Sequence, residues 1–200
     1  MLFRSAEPVL AALEERLVAY RAPLQPDPWE MLVTSICAQQ VSLHAAGAVR
    51  SRLIERFGVR HEHAWAFPTR ERIAAAREGE LRGVGLSTRK AEYLRGLARG
   101  PLDLASLAAL PDDEVAEALM TQRGLGRWTA DWFLVRALAR PHGWPAGDLG
   151  VRKAVSFFYG SGTTMTETEV RAVGERFGPW RSIACHMLLA RSEEHTSELQ

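Results

Sequence analysis

The chain has 200 residues, 46% hydrophobic and 24% charged, with a formal net charge of +1. That balance suits one or two compact globular domains and excludes a disordered chain, a collagen-like repeat or a small disulfide scaffold. No apolar run approaches the roughly 20 residues of a membrane span, and the first residues carry no charged-then-apolar leader. A cytoplasmic protein without membrane contact is expected.

Helical signals follow one another along the chain. Asp27-Pro28-Trp29-Glu30 combines an N-cap, a proline at the first helical position and an acid at the third, opening a helix through about Gln39. Ser42 caps a second helix, in which Ala45, Val49, Leu53 and Phe57 recur at helical spacing, and Gly58 is read as its C′ residue. Thr69 starts a short helix, and Ser87 another that runs to Arg99 and stops at Gly100-Pro101. Asp112-Asp113-Glu114 opens a helix through Gln122, and helices over 127–140 and 150–159 follow. Thr166-Glu167-Thr168-Glu169 begins the next as a capping box, and 180–190 is the last. Nothing alternates with period two over a strand length, so the fold class is all-α.

The last ten residues, Arg191-Ser-Glu-Glu-His-Thr-Ser-Glu-Leu-Gln200, fit no helical pattern in what precedes them. They look like the translated read-through of a sequencing-library adapter, so 191–200 is set aside as a non-native tail. Removing it leaves a more basic chain, because it holds Arg191 against Glu193, Glu194 and Glu198. Lys90 and Lys153 are the two lysines among 25 basic residues; the rest are arginines. Arginine's planar donor fork suits phosphate, and a GC-rich genome explains the same count. Cys37 and Cys185 have no metal-ligand spacing, so no iron–sulfur cluster, cysteine zinc site or disulfide is expected.

Two stretches resemble each other. Leu81-Arg82-Gly83-Val84-Gly85 leads into the helix that ends at Arg99, and Gln122-Arg123-Gly124-Leu125-Gly126 leads into the one that starts at Arg127. Two glycines let the chain reverse within few residues, where a positive φ or a missing Cβ is needed. Such a turn presents the orphan N–H groups of the following helix, which a phosphate oxygen can take. A plain αα-corner has the same pattern, and for the first copy both readings stand.

The second copy has company. Trp128 and Trp132 lie four apart on one helical face, in Arg127-Trp128-Thr129-Ala130-Asp131-Trp132. Asp148 stands just before the next helix, with Phe177-Gly-Pro-Trp-Arg-Ser-Ile-Ala184 downstream and Ile36-Cys-Ala-Gln-Gln-Val-Ser42 upstream. On these residues the chain resembles the helix-hairpin-helix DNA glycosylases, from about Trp29 to about Ala190. Within them it resembles the 3-methyladenine DNA glycosylase II type, which excises alkylated bases.

The resemblance implies a single all-α core over 1–190, built of two helical subdomains with a cleft between them. One subdomain, 29–139, would carry the hairpin; 1–28 with 140–190 would form the other. It implies that Asp148 is the catalytic carboxylate, although an Asp before a helix is in itself an ordinary N-cap. It places Trp128, Trp132 and Leu189 at the base pocket, and Gln40 at the wedge that fills the space left by the flipped base. Packing into the core is the plainer fate of the tryptophans, and a polar loop residue that of Gln40. Gly124, Gly126, Arg127 and Thr129 would meet DNA phosphate. Main-chain carbonyls of Met120, Gln122 and Leu125 would hold a structural Na+ or K+, with no other cofactor required.

Where bifunctional relatives carry an attacking lysine, this chain has Trp128, which implies a monofunctional enzyme without lyase activity. Leu189 departs from the pattern, falling where an aromatic is common. That leaves deaminated bases such as hypoxanthine or uracil as the alternative substrates, and a non-catalytic DNA-binding module as the alternative class. No β-rich extension precedes the helical core, as in the shorter members. The expected partner is duplex DNA with damaged bases, bound by a monomer in the bacterial cytoplasm, at the nucleoid.

Overall fold

The structure is a computed structural model that describes residues 7–16 and 21–198, with side chains described over 7–13 and 21–190. Contacts divide the chain into a middle unit, Gln25–Phe133, and a terminal unit, Met1–Leu24 with Leu134–Gln200.

In the middle unit, Asp27 caps α2 (Pro28–Ala38): its Oδ1 accepts the N–H groups of Trp29 at 2.8 Å and Glu30 at 3.0 Å. Met31, Leu32, Val33, Ile36 and Cys37 of α2 are buried, making it the unit's central rod. α3 (Leu43–Phe57) starts where Ser42 accepts the Ala45 N–H at 3.2 Å. Gly58 does close α3, but not as a left-handed C′ residue: its φ is −75°. Glycine is needed there because a Cβ would lie 2.5 Å from the carbonyl oxygens of Ala66 and Ile54. Ala66 belongs to a hairpin missed by the sequence reading, in which β1 (Val59–Arg60) pairs antiparallel with β2 (Trp65–Ala66). Two residues per strand are too few for an alternation to show.

α4 (Arg70–Ala75), α5 (Glu78–Gly83) and α6 (Thr88–Arg99) come next, and α4 and α6 pack together. Arg70 fastens them, its guanidinium donating to the carbonyls of Leu97, Ala98 and Gly100 at the end of α6. α7 (Asp112–Met120) ends two residues before Gln122, whose N–H takes the Leu119 carbonyl three residues back at 3.0 Å instead of continuing the four-residue ladder. α8 (Arg127–Arg136) stops four residues short of the expected 140. Ala139 takes a φ of 50°, and the Arg140 N–H reaches back to Leu134 instead of Arg136.

The terminal unit holds α1 (Pro8–Arg16), α9 (Leu149–Tyr159), α10 (Glu167–Glu175) and α11 (Arg181–Glu198), with α11 packed on α9 and α1. Thr166 and Glu169 form the expected capping box of α10. Buried Glu7 accepts from Arg176 at 2.8 Å and from the Tyr159 hydroxyl at 3.3 Å. The Trp144 indole donates to the Val170 carbonyl at 3.0 Å, its ring 5.4 Å from that of Phe177. Gly178–Trp180 forms a 3-10 turn, so the last helix opens at Arg181 rather than Trp180. It then runs into the tail, where no helical continuation was expected; side chains beyond 190 lie outside the described residues. Among the described residues, no helix is long and apolar enough to cross a membrane.

Candidate active site and DNA-binding surface

In the terminal unit, Asp148 is the N-cap of α9, with Oδ1 accepting the Val151 N–H at 3.0 Å. The bond fixes the carboxylate's orientation while leaving the residue half-buried. Beside it runs exposed Gly150, where a Cβ would sit 3.1 Å from Asp148 Oδ1 and 3.5 Å from Leu189 Cδ2. The carboxylate and the aliphatic side chain thus border one notch, kept open by a missing side chain. Buried Cys185 is close enough to feel Asp148. Its thiol is pushed up first by burial and then by the Asp148 charge, with Arg136 opposing. His186 is pushed down to about 4, chiefly by burial and secondly by Arg136.

In the middle unit, a cavity of about 480 Å3 lies against the turn between α2 and α3 and the first turns of α6 and α8. Five predicted site residues line it: Gln40, Gly124, Gly126, Trp128 and Thr129. Their roles separate there. Gly124 has φ +93°, and a Cβ would meet the Tyr93 ring at 2.3 Å, so glycine is required twice over. Gly126 has neither constraint, since nothing lies within 4 Å of where its Cβ would be. Trp128 is 37% exposed, whereas Trp132 is 4% exposed and packs as a core residue. Thr129 lines the cavity but is only 1% exposed. Arg127 donates to buried Asp131 at 2.7 Å, one helical turn along, and keeps the rest of its guanidinium exposed. Gln40 is exposed with φ 55°.

The two glycine turns match in a register other than the one the sequence suggests. The left-handed glycines are Gly85 (φ +102°) and Gly124 (φ +93°). Each precedes a buried leucine, Leu86 or Leu125, and then the residue that opens a helix, Ser87 or Gly126. Gly83 therefore has no counterpart in the second turn. The helix that the first turn opens serves the same cavity, because Ser87, Arg89, Lys90 and Tyr93 also line it. None of these four is marked as a site residue by the sequence, although the first glycine turn lies just before them. The Arg89 and Arg123 guanidiniums stand 5.9 and 5.7 Å from the Tyr93 ring centroid, giving the region a basic rim.

The HhH-GPD superfamily of base excision DNA repair proteins matches residues 33–179, spanning the cavity and the Asp148 cap. The chain belongs to this superfamily. The DNA-3-methyladenine glycosylase of Bacillus subtilis (strain 168) is 28% identical over 92% of this chain and 63% of its own length. DNA-3-methyladenine glycosylase 2 of Escherichia coli (strain K12) is 33% identical over 82% of this chain and 57% of its own. The solved 3-methyladenine DNA-glycosylase from Archaeoglobus fulgidus superposes with a TM-score of 0.81 at 36% identity, covering 90% of this chain and 64% of that one. The chain thus spans roughly three fifths of the length of these relatives. The HhH-GPD assignment agrees with the all-α reading, the two-residue strands being a local exception. Among the described residues, no group of three or more His, Cys, Asp or Glu could hold a metal ion.

Proposed function

We propose that this HhH-GPD chain is a monofunctional DNA glycosylase, hydrolysing the N-glycosidic bond of alkylated purines, 3-methyladenine among them, in duplex DNA. The observation that carries the reading is the Asp148 carboxylate, held by its cap bond to Val151 and bordering an open notch. In the reaction the bond between C1′ and the base nitrogen breaks, and its electron pair leaves with the base. A purine alkylated on a ring nitrogen is cationic, so it departs neutral without a general acid. The positive charge left on the sugar is stabilised by the Asp148 carboxylate. Water then attacks C1′, and its proton passes to Asp148 or to solvent.

Backbone N–H groups at the start of α8, with Arg127, would take phosphate, and Gln40 would fill the place of the everted base. Trp128 would stack on that base, its indole face favouring a cation. The hard carbonyl oxygens of Met120, Gln122 and Leu125 suit an alkali cation, which would add positive charge at the hairpin. Gln122 keeps a second lone pair beside the one given to Leu125. Leu189 beside Asp148 favours one further reading, a pocket wall that accepts neutral deaminated purines. Monomeric action in the cytoplasm belongs to the same proposal.

The absence of lyase chemistry rests on the amines. An indole at position 128 is not a nucleophile, and the Lys90 ammonium is engaged with the Cys37 carbonyl at 2.9 Å. Lys153 is exposed on α9. The test is a base-release assay over duplexes bearing 3-methyladenine, 7-methylguanine, hypoxanthine or uracil, with borohydride present in parallel. Release of alkylated purines with strands intact and no cross-link is expected. No release from any duplex overturns the glycosylase reading, and a borohydride adduct overturns the monofunctional one.

A further inference from the structure

The turn after α2 is costly for the residue it uses. Gln39 ends the helix at φ −57°, ψ 126°, and Gln40 then takes φ 55°. That left-handed conformation is glycine's ground, and a residue with a Cβ is strained there. Such strain persists only where the surroundings fix it. Two hydrogen bonds do so. The Lys90 ammonium donates to the Cys37 carbonyl at the end of α2 at 2.9 Å. The Gln39 side-chain amide donates from Nε2 to the Gly124 carbonyl at 2.7 Å, a contact between residues 85 positions apart. Gly124 is itself left-handed and lies close against the Tyr93 ring. One side chain therefore joins the turn that carries Gln40 to the hairpin turn.

We propose that Gln39 is a positioning residue that makes phosphate seating and void filling a single rigid step. The inference rests on the glycosylase reading and deepens it. Everting a paired base costs its stacking and pairing, and the group that takes its place offsets that cost only if it is already aimed. With Gln39 bound to Gly124, seating the hairpin on the backbone carries Gln40 to the vacated space. Without that bond the hairpin still seats, and Gln40 must find its conformation in a separate event. The loss therefore scales with how strongly the target base was held.

The experiment measures single-turnover base release by Gln39→Ala and the nearly isosteric Gln39→Glu, which has no N–H to donate. Each is tested on a 3-methyladenine duplex with thymine opposite the lesion and on one with an abasic-site analogue opposite. Thermal melts confirm folding, and 2-aminopurine beside the lesion reports eversion directly. Losing the hydrogen bond is expected to slow release and eversion about tenfold opposite thymine. Opposite the abasic analogue, rates stay within about twofold of the unmodified protein. Equal slowing on both duplexes, or unchanged rates on both, overturns the proposal. An unmodified protein that releases no base from either duplex refutes the glycosylase reading instead.

Discussion

Asp148 in the terminal unit offers a charge on a side chain, whereas Gly124 in the middle unit offers a place where no side chain fits. The two sites differ in what a substitution can reach. Around the hairpin the groups proposed to meet DNA are, apart from the Arg127 guanidinium, backbone N–H groups, so there a substitution acts mainly through backbone shape and steric access. At Asp148 the carboxylate is the group proposed to do the chemistry, and its charge can be removed with shape retained. If both proposed roles hold, grip and bond breaking should be separable in this chain, and substitutions at Asp148, Gly124, Gly150 and Gly126 test the separation.

The largest effect is expected from Asp148→Asn. Its amide oxygen can still accept the Val151 N–H, so α9 keeps its cap while the sugar loses its counter-charge. Single-turnover base release should fall on the order of 10²–10³-fold, with affinity for abasic-site DNA kept.

The next prediction concerns pH in the terminal unit. Burial, with Arg136 second, holds His186 down to about 4 against an ordinary value of 6.5. The unfolded chain takes up this proton near pH 6.5 and the folded chain near 4, so the contribution is full above 6.5 and is lost as pH falls between the two. From pH 7 to 5 the loss is about 2 kcal/mol, read by urea unfolding. His186→Leu should remove that part of the slope; a slope unchanged in this variant would contradict the assignment.

Gly124→Ala and Gly150→Ala sharpen the contrast between the units. The first forces a Cβ into the Tyr93 ring at a positive φ, costing about 1–3 kcal/mol of stability, with duplex affinity falling too. The second lies in the first turn of α9, where alanine favours the helix by about 0.5–1 kcal/mol. Its Cβ nevertheless presses on Asp148 Oδ1 from 3.1 Å. Thermal stability should therefore hold or rise while base release drops about tenfold, the scale of one displaced hydrogen-bonding group. Parallel loss of both would make Gly150 a packing residue only.

Much of this was legible from the residues. Asp27, Ser42, Thr69, Ser87 and Thr166 each cap the helix they were expected to open, because cap chemistry is local. Helix ends were less so. Where α8 stops depends on the Arg140 N–H choosing Leu134, and no neighbouring residue announces that choice. The two glycine turns were visible, yet their register was not. Gly83 and Gly126 look equivalent to Gly85 and Gly124 until φ and the Tyr93 ring tell them apart. Gln39 went unassigned because its partner is a backbone carbonyl 85 residues away. Asp148 gave only the pattern of a cap, and the notch beside it depends on Leu189 of another helix.

Gly126→Val carries a small structural cost and separates grip from chemistry most directly. Open space faces its Cβ position, so stability should change by about 1 kcal/mol or less. The deciding measurement compares this variant with Asp148→Asn, recording duplex affinity and the single-turnover release rate at saturating enzyme for both. Gly126→Val is expected to lose affinity for lesion-bearing and undamaged duplexes alike but to release base at a near-normal saturated rate. Asp148→Asn should bind normally and release almost nothing. Matched losses of affinity and rate in both variants, or near-normal release by Asp148→Asn, would contradict the division of grip from chemistry.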